Sequence, residues 1–214
     1  MPDLSQTSPA AFNCQGGLVL NRSTFLMQPG EALELQNFEP DIEGGYRRIN
    51  GFSKYVSAVV PQTSSATEKV LMVATFGDLV VAARGEKIFT ATAGGSSWTE
   101  RDSGRTSAGT YAFERFNFDG NNKLIVVDGA NAPTVFNTAM SATDVSNSDV
   151  AGSKFVAAFK SHMFYAGKSS TPQTLVFSVP FDEDDFTGGS GAGSIKVDDT
   201  ITGLKVFRDN LFIF

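Results

Sequence analysis

The chain has 214 residues, 41% hydrophobic and 19% charged, the balance of a folded chain rather than a disordered one. Its 17 basic and 23 acidic side chains leave a net charge of −6, which gives no long-range attraction to nucleic acid. A single cysteine excludes an internal disulfide, a single histidine excludes a multi-histidine metal site, and no apolar run approaches the ~20 residues of a membrane helix.

Residues 1–15 read as an irregular arm: Pro2, Ser5, Thr7, Ser8 and Pro9 carry no periodicity, and the segment lacks the basic start and apolar run of a secretory leader. Residues 16–55 form a compact motif. Within it, Gly30–Phe38 is the best helix candidate in the chain, with Pro29 and Gly30 before it, Glu31 and Glu34 in its first turn and Pro40 as its stop. Glu43-Gly44-Gly45 then reads as a hairpin turn into a strand over Tyr46–Ile49. On that strand Arg47 and Arg48 point to opposite faces, one paired with a carboxylate such as Glu43 and the other open to a partner or to solvent.

From residue 56 onward the helical period disappears. Apolar runs rich in Val, Ile, Leu and Phe alternate with Gly, Ser, Asp and Asn clusters, and 19 Phe with 21 Gly suit short strands and tight turns. The runs come in pairs: 70–76 with 79–83, 112–118 with 123–128, 154–159 with 162–167, and 203–207 with 211–214. The second members place Leu79, Leu124, Met163 and Leu211 at spacings of 45, 39 and 48 residues. A third strand follows each of the first three pairs, at Lys87–Thr92, Thr134–Asn137 and Thr174–Val179. Weaker fourth strands follow near 97–101, 142–145 and 194–197. Four strands per 40–50 residues is the signature of β-propeller blades. The expectation is an all-β, β-propeller-like fold over residues 56–214, with three blades and the start of a fourth, preceded by a short helix and an arm. Phe214 falls inside an apolar strand, so the chain is expected to continue in a longer protein.

Candidate chemistry is sparse. Phe181-Asp182-Glu183-Asp184-Asp185-Phe186 is oxygen-rich but lacks calcium-loop spacing, and reads as a solvated loop. Asp119-Gly120 reads as a hairpin turn, His162 as a structural strand residue, and Cys14 as an unactivated thiol in the arm. The Gly-rich segments, including 188–193, fit no phosphate-binding pattern. No catalytic residue, metal ligand or cofactor is therefore assigned. Ala91-Thr92-Ala93-Gly94-Gly95-Ser96-Ser97-Trp98 resembles the Asp-box turn of sialidase-type propellers, with Ala93 where the Asp belongs. That turn supports a fold between outer blade strands and carries no activity. Together with the aromatic content, it gives the alternative reading: a carbohydrate-binding or glycosidase-type propeller.

A more specific resemblance lies in residues 16–55. Gly16-Gly17, Pro29-Gly30-Glu31-Ala32, Leu35-Gln36-Asn37-Phe38 and Gly44-Gly45-Tyr46-Arg47-Arg48-Ile49-Asn50-Gly51-Phe52 resemble the N-terminal signature of tailed-bacteriophage virion proteins. These are the tail-hub, DNA-stabilisation and tail-nozzle proteins of short-tailed phages and related cyanophage proteins. The ending Gly203-Leu204-Lys205-Val206-Phe207 through Phe214 also resembles a recurrent segment of that family. The resemblance implies a longer, propeller-containing, non-enzymatic protein of the virion tail or neck. It implies a homo-oligomeric ring, often a hexamer, that contacts other tail, neck or portal-adaptor proteins and lets viral DNA pass without specific binding. The candidate subunit-contact residues are Leu35, Asn37, Phe38, Gly44, Gly45, Tyr46, Arg47 and Arg48. An acidic lumen that repels phosphate would serve passage of DNA.

Overall fold

The computed structural model describes residues 16–42, 45–63, 68–106 and 109–214. The chain divides into two units, with the boundary between Ser53 and Lys54. Regular structure among the described residues is almost entirely strand; only two single-turn 3-10 segments, Thr24–Leu26 and Gly188–Ser190, interrupt it.

In the first unit, β1 (Gly17–Leu18) pairs in parallel with β2 (Glu31–Ala32), and β3 (Phe38–Pro40) pairs antiparallel with β4 (Tyr46–Arg48). The helix expected over Gly30–Phe38 does not form. Gly30 has φ +93 and Asn37 φ +61, both outside helical backbone. A nine-residue helix closes too few turns to repay its nucleation, and here each part of the segment finds a partner elsewhere. The Gly16 N–H donates to the Gly30 carbonyl at 3.1 Å and the Val19 N–H to the Ala32 carbonyl at 2.9 Å. The Glu31 carboxylate, read as a first-turn helix acid, instead accepts from Arg22 at 3.0 Å and from the Gln28 N–H at 2.8 Å. Gly16 itself is fixed by this approach: a Cβ there would lie 2.5 Å from Glu31 Cγ and 2.7 Å from its backbone nitrogen.

The second unit holds three four-stranded antiparallel sheets and a closing hairpin. The first sheet is β5 (Val70–Phe76), β6 (Leu79–Arg84), β7 (Lys87–Thr92) and β8 (Thr99–Asp102). The second is β9 (Ala112–Phe116), β10 (Lys123–Val127), β11 (Thr134–Phe136) and β12 (Ala142–Asp144). The third is β13 (Phe155–Phe159), β14 (His162–Ala166), β15 (Thr174–Phe177) and β16 (Gly193–Lys196). The hairpin is β17 (Leu204–Phe207) with β18 (Asn210–Ile213). Within each sheet the strands follow one another in chain order, a simple meander.

Turn chemistry sets the registers. Phe76 pairs with Leu79 across the two-residue loop Gly77-Asp78, and Gly77 takes φ +56 at the first central position. Phe159 pairs with His162 across Lys160 and Ser161, at φ +46 and +66. Both central residues being left-handed matches the twist of the strands, although neither is glycine.

The cores lie between sheets. Side chains alternate along a strand, so a strand inside a stack serves two cores at once. Leu124 and Val126 of β10 join Met72, Val81 and Ile88 of the first sheet. Their neighbours Ile125 and Val127 join Val156, Met163 and Tyr165 of the third. Strand β14 repeats the pattern: Met163 and Tyr165 face the second sheet, while Phe164 and Ala166 pack with Leu204 and Leu211 of the hairpin. The first strands of successive sheets, β5, β9, β13 and β17, are neighbours in turn. Strands β9, β13 and β17 line one cleft that includes Glu114, Phe155 and Lys205.

Charged groups tie the sheets together at their ends. Arg105, in the link from β8 to β9, is buried and bonds Asp102 and, at 2.8 Å, Asp128, and also reaches the Thr134 hydroxyl. Lys123 reaches Glu183 at 2.7 Å, from the second sheet to the loop after β15. The turn between β7 and β8 holds the segment before the first sheet: the Gly94 N–H donates to the Tyr55 carbonyl at 2.8 Å and Trp98 Nε1 to the Ala58 carbonyl at 3.0 Å.

Candidate subunit-contact site

Of the expected contact residues, Phe38, Tyr46, Arg47 and Arg48 lie in the β3–β4 ribbon, and Asn37 and Gly45 flank it. Its register pairs Phe38 with Arg48, Glu39 with Arg47 and Pro40 with Tyr46. Directly opposed residues share a face. Phe38, Pro40, Tyr46 and Arg48 therefore lie on one side, and Glu39 with Arg47 on the other. Arg47 Nε meets Glu39 Oε1 at 2.8 Å. The carboxylate expected from Glu43 is thus supplied by Glu39, because the ladder places it directly across. Glu43 and Gly44 lie outside the described residues. Both partners of the Arg47–Glu39 pair are largely exposed, so it orients the ribbon more than it stabilises it.

Gly45 takes φ +89 and its carbonyl accepts from the Asp41 N–H at 3.1 Å, which closes the turn. Asn37 sits at φ +61, and its carbonyl accepts from the Ile49 N–H at 3.0 Å. This bond extends the ribbon by one step and sets Asn37 opposite Ile49. Asn37 and Arg48 border an open cleft of about 580 Å3 with Ile49, Asn50 and Phe52. Leu35 stands apart, half-buried in the bend before β3.

The first unit has little core of its own. Among its described residues only Gly30 is buried. Phe25, Ile42 and Phe52 are 96%, 98% and 94% exposed, and Leu20, Leu26 and Phe38 are exposed as well.

The other sequence candidates take structural roles. His162 Nδ1–H donates to the Ser178 carbonyl at 2.6 Å, and its ring meets Phe177 edge-on. In the acidic loop, Asp182 accepts from the backbone of Asp184 and Asp185, Asp184 accepts from the Ser146 N–H, and Asp185 from the Thr187 N–H. Glu183 holds Lys123. The loop is a brace to the second sheet rather than only solvated surface. Among the described residues no three His, Cys, Asp or Glu side chains gather as a metal site. Cys14 lies outside the described residues, and no helix among them is long and apolar enough to cross a membrane.

Two features escape sequence reasoning. The Arg105–Asp102–Asp128 cluster ties Arg105 to a carboxylate 23 positions away, a separation that no local spacing betrays. Burial tends to raise the Asp128 carboxyl, but hydrogen bonds from Asn131 and Ala130 and the Arg105 charge outweigh it and hold it below its ordinary value. Tyr111, beside the same cluster, is pushed up to about 12, chiefly by burial. The second feature is a cleft of about 770 Å3 between the turn ends of the first two sheets. No protein-family model matches this chain, and no curated protein matches it either.

Proposed function

We propose that this chain is a non-enzymatic virion structural protein of a tailed phage, a ring-forming component of the tail or neck, built on β-propeller blades. The observation that carries the propeller is the shared cleft of β9, β13 and β17. First strands of three sheets stacked in a straight line would be too far apart to border one cleft, because facing sheets stand about 10 Å apart. Sheets fanned around a common axis bring them together, as blades do. The interlocking cores of successive sheets support the same reading.

The ring reading rests on the first unit. Its apolar side chains stand exposed, and its β3–β4 ribbon offers Phe38, Tyr46 and Arg48 on one face. A covering subunit would bury them, and in a closed ring each subunit presents that surface to the next. The Gly-Gly and Tyr-Arg-Arg residues that resemble the phage signature are the ones that shape this unit. Gly16 admits β2, and Tyr46–Arg48 form β4.

Native mass spectrometry of the protein from its natural source tests the proposal. The expected result is a closed ring of identical subunits, recovered within a larger particle. A stable monomer would sink the ring, and with it the virion role.

A further inference from the structure

The cleft between the turn ends of the first two sheets is neither part of the β3–β4 surface nor filled by the cores. Its apolar floor comes from Phe76, Leu79 and Phe116, which the β5–β6 and β9–β10 hairpins bring together. Polar groups with open hydrogen-bonding capacity stand at its rim. Asp78 is exposed at the tip of the β5–β6 turn and has no partner among the described residues. Asn117 Nδ2 donates to Asn122 Oδ1 at 3.2 Å, which leaves the Asn117 oxygen as an acceptor and the Asn122 amide nitrogen as a donor. Arg115 uses one nitrogen, Nη1, on Thr75 at 3.2 and 3.3 Å, so its other N–H groups stay available.

Charges of both signs stand at this rim. Asp78 opposes Arg115 in sign, and Lys123, the remaining cation, is already held by Asp119 and Glu183. An anion would meet the Asp78 carboxylate, and a cation would meet Arg115. The favoured ligand is neutral, apolar on one face, and edged with groups that both give and take hydrogen bonds. A pyranose ring has that chemistry: C–H groups for the floor and hydroxyls for a rim that mixes acceptors with donors. The cleft volume of about 770 Å3 lies within the range of about 300–1,000 Å3 usual for small-molecule sites.

We infer that this cleft is a binding site for a neutral saccharide. The inference does not rest on the ring reading, since a monomer could bind equally well. Saturation-transfer NMR on the full chain with maltotriose, cellotriose and triacetylchitotriose, each at millimolar concentration, tests it. At least one should receive saturation, on ring C–H protons. The Asp78→Ala/Asn117→Ala double variant changes two exposed side chains and should weaken that binding at least tenfold while unfolding at the parent temperature. If the double variant misfolds, Asn122→Ala alone should weaken binding, and Lys168→Ala, outside the cleft, should leave it intact. No transfer to any of the three sugars, transfer unchanged in the cleft variants, or, in a parallel run with the anionic probe sialyllactose, transfer to that probe alone would overturn the inference.

Discussion

Arg105 is a charged side chain in a buried position, and its partners make that possible. Asp102 and Asp128 neutralise it, and the Thr134 hydroxyl takes a further N–H. Removing the cation would strand the Asp128 carboxylate, which is itself fully buried. Arg105→Met is therefore expected to cost about 3–5 kcal/mol in urea unfolding. The pH dependence follows from the same cluster. Asp128 is held below its ordinary value in the folded chain, so its contribution is present in full above the unfolded value of about 3.9. It is lost as pH falls through the lower folded value. Unfolding curves between pH 6 and pH 3 should show this acid loss in the parent and a smaller one in Asp128→Asn. An equal loss in both would assign the acid sensitivity elsewhere.

At the scale of the element, each central strand divides its side chains between two cores. Leu124 belongs to the core between the first and second sheets, and Met163 to the core between the second and third. Both are fully buried. Leu124→Ala and Met163→Ala are each expected to cost about 2–5 kcal/mol through lost burial and the cavity left behind. Because they share no core, their effects should add to within about 0.5 kcal/mol in the double variant. Strong coupling between them would mean that the cores respond as one body. The elements were largely legible in the sequence. Apolar runs punctuated by Gly, Asp and Asn marked the central strands most clearly, because β6, β10 and β11 are buried on both faces, while the outer β8, β12 and β16 are largely exposed and gave weaker signals. The segment 30–38 departs from the helix its Pro29 start, Glu31 and Glu34 acids and Pro40 stop suggest, because its partners, Gly17–Leu18 and Tyr46–Arg48, lie outside any local window.

At the scale of the molecule, charge is the property with the longest reach. A net charge of −6 sets the whole chain against a polyanion. The protein is expected to pass through a duplex-DNA column at about 0.1 M salt, where the Debye length is near 10 Å. Retention there would show that a local basic surface overrides the net charge, and would contradict a conduit that lets DNA slide. The same scale holds the contrast between the two units. The second buries its apolar strands in three cores, while the first leaves Phe25, Ile42 and Phe52 almost wholly exposed.

The sequence by itself determined the all-β class, the strand pairs and their turns, because alternation, chain punctuation and left-handed turn positions are local properties that a short window contains. It also carried the β4 ribbon residues and the opposite facing of Arg47 and Arg48. Only the tertiary structure decided that Glu39 is the partner of Arg47, that Glu31 anchors a strand pair, that Arg105 is a buried clamp, and that two hairpin ends enclose a cleft. Each of these joins residues distant in the chain, and their meeting depends on strand register and sheet packing, which no local pattern encodes.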